Sequence, residues 1–449
     1  MIHTRETVIQ FGEGNFLRGF FDAFLDAMNK QGLYDGKAVI VQPRVGGKCA
    51  LLNAQGCKYN LYLRGLENGE VRQEHHWIES ISRCIDPYQS FDDYLALADN
   101  PDFRLIVSNT TEAGIAFDET CRFDDRPCKG FPAKLTQLLY RRYQNGLDGF
   151  ILLPCELIDQ NGAALKQCVL RYADLWHLEK EFVDWLEQNN QFANTLVDRI
   201  VTGYPSDETA ALHPDDRFLD TAELFHLWVI EGQFEKELPL QKAGFHVVWT
   251  ADAAPYKKQK VRILNGAHTA LVAGALLSGL ETVGDAMRDE TAFAFLNTCM
   301  REEILPTIGE TAQSIAFANS VFDRFRNPFI RHKWRSIALN SVSKFSVRVL
   351  PTLLEYKEKN GVYPKGLTLA LANLICFYKN DQPEDDRTVV AAIQQDSITQ
   401  ILANTTLWQT DLSDLTGLVT AYCNKIDTIG AKETMKWILS ESTKKITSV

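Results

Sequence analysis

The sequence predicts an α/β fold: a parallel sheet covered by helices on both faces, followed by a mostly α-helical half. Three observations carry this. Short, continuous apolar runs alternate with helix-period segments up to about residue 250, the pattern of strands buried on both sides. Two glycines close the first of these runs just before a helical pattern begins. Beyond Pro255 only helical periodicity remains.

The elements follow in order. Thr7–Phe11 (TVIQF) is a β-type run ended by Gly12. After Gly14 the residues Phe16, Phe20, Phe24, Leu25 and Met28 recur at helical spacing, which predicts one helix closing at Gln31-Gly32. Ala38–Val41 is the next strand. Arg104–Ser108 and Phe150–Leu153 are further buried strands, and Phe245–Thr250 is the last. Helices are expected near 257–279, 286–304, 334–358, 367–379, 387–403 and 430–440. The boundary is placed at residue 252, giving an α/β domain over 1–252 and a mostly helical domain over 253–449.

Composition removes several classes of function. Of 449 residues, 45% are hydrophobic and 23% charged, which excludes a disordered chain, a collagen and a coiled coil. Lys and Arg number 47 against 58 Asp and Glu, a net charge of −11. That balance argues against nucleic acid or an anionic membrane as partner. The most apolar stretch, Thr269–Leu280 (TALVAGALLSGL), falls short of the ~20 residues of a membrane span and reads as a buried helix. The opening MIHTRETVIQ lacks a basic-then-apolar signal pattern. Ten scattered cysteines form no C-x-x-C pair and no zinc spacing. The expectation is a cytoplasmic protein with reduced thiols and no metal.

Two constellations carry chemistry. In Phe11-Gly12-Glu13-Gly14-Asn15-Phe16-Leu17-Arg18-Gly19, glycines let the backbone turn sharply and approach a pyrophosphate where a helix offers free N–H donors. Gly12 and Gly14 fill the first two places of a Rossmann-type G-x-G-x-x-G; Leu17 stands at the third. The acid that usually ends the second strand is also missing, since Gln42-Pro43-Arg44 follows Val41. Gln42 is placed to donate to a ribose. Arg44 fits either a 2′-phosphate or a solvated surface charge, so NAD and NADP both stay open.

The second constellation is Lys260, Asn265 and His268, set among Val261, Ile263, Leu264 and Ala267. At ~100° per residue, His268 lies ~80° and Asn265 ~140° from Lys260, on one broad side of a helix. A lysine there can exchange a proton near neutral pH, an amide can donate to a developing oxyanion, and an imidazole can hold a neighbouring oxygen. The same spacing also fits a solvated lysine, a capping asparagine and a core histidine.

Together, the glycine turn and the ordered Lys-x4-Asn-x2-His set resemble the mannitol dehydrogenase family of polyol-specific long-chain dehydrogenases over most of the chain. The resemblance implies a Rossmann-type domain, a helical domain, an active site between them, and metal-free hydride transfer between NAD(P) and a sugar-type ketone or alcohol. It implies catalytic roles for Lys260, Asn265 and His268. It also implies one for Asp198, in the block Val197-Asp198-Arg199-Ile200. Gly12, Gly14, Asn15, Phe16, Gln42, Thr111 and Glu112 would bind the cofactor, the last two within Asn109–Gly114. Glu223-Leu224-Phe225 with Trp228, Asp323-Arg324-Phe325 and Ser343-Lys344-Phe345 resemble further family blocks. One departure is Cys155-Glu156-Leu157 where family members carry Cys-Asp-Asn, so a second oxyanion donor is lost. The opening Gln10–Gly19 and Leu153–Ile158 resemble a branch that reduces a keto-uronate to an aldonate. Such a substrate carries a carboxylate that wants a fixed cation. Arg18, Lys344 and Arg335 are the nominees, though each also reads as an ordinary structural charge. The alternatives are a fructuronate, mannitol or sugar-phosphate dehydrogenase, and a nucleotide-binding regulator without catalysis. The intact lysine, asparagine and histidine argue against the regulator. No pattern in the sequence sets an oligomeric state.

Overall fold

The computed structural model describes residues 5–67, 69–111, 113–205 and 212–443. It divides into two compact units. The first holds the residues up to Arg64 and Val71–Ala254, and the second holds Pro255 onward with Gly65–Glu70.

The strands, in chain order, are β1 Glu6–Phe11, β2 Lys37–Val41, β3 Tyr59–Glu67, β4 Glu70–Ile78, β5 Ile81–Ile85, β6 Leu105–Ser108, β7 Ile151–Pro154, β8 Gln191–Phe192, β9 Thr195–Asp198, β10 Asp220–Ala222, β11 Leu227–Glu231 and β12 Val247–Thr250. Six of them form the main sheet in the order β5-β2-β1-β6-β7-β8, with every pair parallel. Counted within that sheet the order is 3-2-1-4-5-6, the doubly wound arrangement whose switch point lies between the first and fourth strands. Alternate residues serve opposite faces. Ile9, Phe11, Val39, Ile106 and Leu152 join one core with Leu135, Leu138, Val169 and Phe182 of the covering helices. Val8, Leu105, Val107 and Leu153 join another with Phe21, Phe24, Leu25 and Trp228. Both faces are dry, as the continuous apolar strand sequences require.

Two smaller sheets complete the first unit, β10-β3-β4 and β12-β11-β9. The single helix expected after Gly14 is two, Asn15–Arg18 and Phe21–Lys30. Gly19 separates them. A Cβ there would lie 2.9 Å from Val201 Cγ1, and its carbonyl accepts from Arg199 Nη1 at 2.9 Å instead of continuing a helix.

The second unit is helical. Its apolar segment forms the Gly266–Leu277 helix, buried from Gly266 through Ala275. This helix packs closely on Lys365–Asn380, where a Cβ on Gly274 would sit 2.9 Å from Asn373 Nδ2. The Ala312–Phe325 and Thr416–Ile429 helices lie where no helix was expected. Among the described residues, no helix is long and apolar enough to cross a membrane.

Candidate active site

The glycine turn stands at the switch point. Gly12 follows β1 with φ +122°, and a Cβ on it would lie 2.7 Å from the carbonyl oxygen of Asn109, the residue after β6. Only glycine fits this backbone and this approach. Around Gly14 the space is open, with no atom within 4 Å of a built Cβ. The residues present therefore leave an unfilled cradle at the carboxyl end of β1, where a doubly wound sheet receives a dinucleotide. Asn15 is exposed beside Gly14, and its Oδ1 accepts from Arg18 Nη2 at 2.8 Å. Phe16 is half-buried and stacks on Phe20 with centroids 5.0 Å apart.

The loop after β6 is held by Glu156. Its carboxylate accepts from Ser108 Oγ at 3.0 Å, Thr110 N at 3.0 Å and Thr110 Oγ1 at 2.9 Å. Burial pushes this carboxyl up despite those donors. Tethering Thr110 lets Thr111 take φ +122°, a strained setting for a β-branched residue. Thr111 is exposed, while Glu112 lies outside the described residues. Leu157 is 59% exposed and offers no donor.

Gln42 is tied into its own loop. It is buried, its Nε2 donates to Arg44 O at 3.0 Å, and its Oε1 accepts from Cys49 N at 3.3 Å. Both ends of the amide shape the 43–48 loop, which takes one Nε2–H and leaves the second as a donor. Arg18 departs from its expected role. Its guanidinium is buried, donates to Glu13 O at 3.0 Å and lies 3.7 Å from Asp220 Oδ2. It is an internal counter-charge, not a substrate cation. Asp198 ends β9, is buried, and pairs across from Leu227 of β11.

In the second unit the signature helix has an unusual centre. Ala254–Lys260 is α-helical, Val261–Asn265 forms a π turn, and Gly266 starts the next α-helix. The Gly266 N–H donates to Val261 O, five residues back. One extra residue in the turn brings positions five apart toward the same side, which moves Asn265 toward Lys260 relative to a plain α-helix. Both side chains are half-buried, whereas Arg262, Ile263 and Leu264 between them are buried. Arg262 anchors the turn from behind, donating to Thr352 Oγ1 at 2.7 Å and to Glu355 Oε1 at 3.0 Å.

His268 is 9% exposed and stacks on Phe325 with centroids 4.1 Å apart. His332 meets it edge-on at 5.4 Å and Trp334 at 6.2 Å. Burial, with His332, Arg324 and Arg348 nearby, drives its pKa well below the usual imidazole value, so the ring is neutral at physiological pH. Lys344 is half-buried and donates to Ile337 O at 3.0 Å; burial and Arg348 lower its pKa. Arg335 is instead an exposed partner of Asp381, with contacts of 3.1 and 2.7 Å. That pairing satisfies its charge on the surface. Sequence reasoning missed His332 and Arg348. Arg348 follows Lys344 by one helical turn, a spacing that marks it in retrospect. Among the described residues no three His, Cys, Asp or Glu side chains come together as a metal site.

Comparison with known proteins agrees with this architecture. The family model described as mannitol dehydrogenase Rossmann domain matches residues 6–242, and the mannitol dehydrogenase C-terminal domain matches 252–430. Altronate oxidoreductase of Bacillus subtilis (strain 168) is 43% identical over 96% of this chain and 95% of its own. Altronate oxidoreductase of Escherichia coli O6:K15:H31 (strain 536 / UPEC) is 44% identical over 94% of each. Among solved structures, substrate-free D-sorbitol dehydrogenase aligns with TM-score 0.85 at 22% identity, over 96% of this chain and 95% of that one. Pseudomonas fluorescens mannitol 2-dehydrogenase, in ternary complex with NAD and D-mannitol, aligns with TM-score 0.73 at 22% identity, over 97% and 95%. With family models matching from residue 6 to 242 and from 252 to 430, and relatives alike over nearly their whole length, the chain belongs to the mannitol dehydrogenase family and is a dehydrogenase acting on CH–OH groups.

Proposed function

We propose that this protein interconverts D-tagaturonate and D-altronate with NAD, as a step in hexuronate breakdown. The observation that carries the reading is the full-length likeness, at 43–44% identity, to proteins named altronate oxidoreductase. The intact Lys260, Asn265 and His268 on one helix support it. NAD, when bound, accepts or supplies the hydride. Gly12 and Gly14 admit its pyrophosphate to the backbone, and Asn15, Phe16 and Thr111 border that cradle. Lys260 takes the hydroxyl proton in oxidation and returns it in reduction. Asn265 donates its amide hydrogen to the oxygen as charge develops there. His268, neutral and fixed by Phe325, holds a substrate oxygen by hydrogen bonding. The family resemblance adds Asp198 to this catalytic set.

The deciding experiment is a panel of D-tagaturonate, D-fructuronate, D-fructose and sugar phosphates, each with NADH and with NADPH. The reading expects tagaturonate with NADH to give the highest kcat/KM. A preference for fructose or fructuronate defeats the substrate assignment. A preference for NADPH defeats the cofactor assignment.

A further inference from the structure

Arg348 closes the Ser341–Arg348 helix and is half-buried. Among the described residues its guanidinium has no hydrogen-bond or ion-pair partner. Burial alone moves its pKa, downward, with no carboxylate to offset the cost. Desolvating a cation without a counter-ion is expensive. The groups around it make the cost greater. Lys344 is four residues earlier on the same helix face, where like charges repel. Arg348 also acts on His268, as do His332 and Arg324. Asp385 acts on Lys344, and its Oδ2 already accepts from the Tyr378 hydroxyl at 2.5 Å.

The position is also specific. The Arg348 carbonyl would lie 3.2 Å from a Cβ on Gly266, so this residue packs directly on the turn that carries Asn265. The two arginines nominated from sequence are committed elsewhere, Arg18 to Asp220 and Arg335 to Asp381.

We infer that Arg348 receives the substrate's carboxylate, with Lys344 as the second cation of the anion site, and so sets a preference for sugar acids over neutral polyols. The inference rests on the sugar-acid reading above. A guanidinium offers two parallel N–H donors matched to a carboxylate, which an ammonium cannot copy. The anion would relieve both the unpaired charge and the Lys344–Arg348 repulsion.

The test compares binding of D-altronate and of neutral D-altronamide to the NADH-bound enzyme, read by nicotinamide fluorescence, in wild type, Arg348→Gln and Arg348→Lys. Wild type should bind the acid about ten- to a hundredfold more tightly than the amide, the range of a charge-assisted hydrogen bond. Arg348→Gln should abolish that ratio while leaving amide affinity within about threefold. Arg348→Lys should keep part of it, and it decides the matter if the glutamine variant does not fold. A ratio that survives substitution, or equal weakening of both ligands, overturns the assignment. Wild type that turns over no keto-uronate sinks the sugar-acid reading and this inference together. Wild type active on tagaturonate whose Arg348→Gln variant keeps its preference sinks Arg348 alone.

Discussion

Lys260 is the residue on which the proposed chemistry turns. General acid–base catalysis is worth about 10²–10⁴ in rate, so Lys260→Ala should lower kcat by at least a hundredfold. NADH titration of the variant should stay near wild type, because the cradle at Gly12 and Gly14 is untouched. Near-normal turnover would remove the lysine from the mechanism. Gly12→Ala should behave in the opposite way. It forces a side chain into φ +122° and within 2.7 Å of the Asn109 carbonyl, and strain of this kind costs about 1–3 kcal/mol. Cofactor affinity should fall at least tenfold, with a lower Tm. Both residues stand out in the sequence because their patterns are local. A glycine pair after a strand, and a lysine, an amide and an imidazole within nine residues, announce themselves. Arg18 and Arg335 were misread for the converse reason. Whether a guanidinium is spent on Asp220 or Asp381 depends on chain segments far away. Arg348 was invisible because an arginine in an amphipathic segment looks solvated until its neighbours are known.

Burial made some elements legible but not all, since β3 and β11 are largely buried and were not expected. Four of the five strands expected for the first half lie in the doubly covered sheet, where apolar runs are buried on both faces, and the fifth, Val247–Thr250, lies in the β12-β11-β9 sheet. The β4 strand was missed because its sequence EVRQEHHWI is exposed almost throughout and carries no apolar alternation. The π turn was equally hidden, since a 3.6-residue period is assumed when the wheel is drawn. It rests on Arg262 and its Thr352 and Glu355 partners rather than on any local signal. Lys365–Asn380 shows a similar long-range dependence. This buried helix begins with Pro364 as its cap and no side-chain cap of its own. Glu303, from another helix, accepts from Gly366 N at 2.7 Å and Leu367 N at 2.8 Å. Glu303→Ala strands two buried N–H groups, each worth about 1–3 kcal/mol. Chemical denaturation should show the second unit destabilised by roughly 2–5 kcal/mol. A loss below about 0.5 kcal/mol would mean that water replaces the carboxylate.

Across the whole molecule, buried ionisable groups pull stability in opposite directions with pH. Burial drives the pKa of Asp22 and Asp220 in the first unit, and of Glu303 in the second, up to about 7. His226 is driven down to about 3 and His268 well below its usual value, again by burial first. A carboxyl whose folded pKa is raised binds its proton more tightly folded than unfolded, so stability falls as pH rises from about 4 to about 7. An imidazole whose folded pKa is depressed loses stability as pH falls below about 6.5. The wild-type curve is therefore a sum of opposing slopes, and a difference curve is needed to separate them. Asp22 is the clearest probe. Its Oδ2 accepts from Gln10 Nε2 at 3.3 Å, while its Oδ1 is buried without a donor, so the charged form is poorly served. Asp22→Asn removes one titration and leaves the histidines, Asp220 and Glu303 in place. The stability of wild type minus that of Asp22→Asn, from urea melts at pH 5, 6, 7 and 8, should decline steadily up to about pH 7 and then flatten. The span from pH 4 to 7 is worth on the order of 4 kcal/mol, at about 1.4 kcal/mol per pH unit. Parallel curves would mean that Asp22 ionises in the fold as freely as it does in water, with Arg18 offsetting the whole cost of its burial.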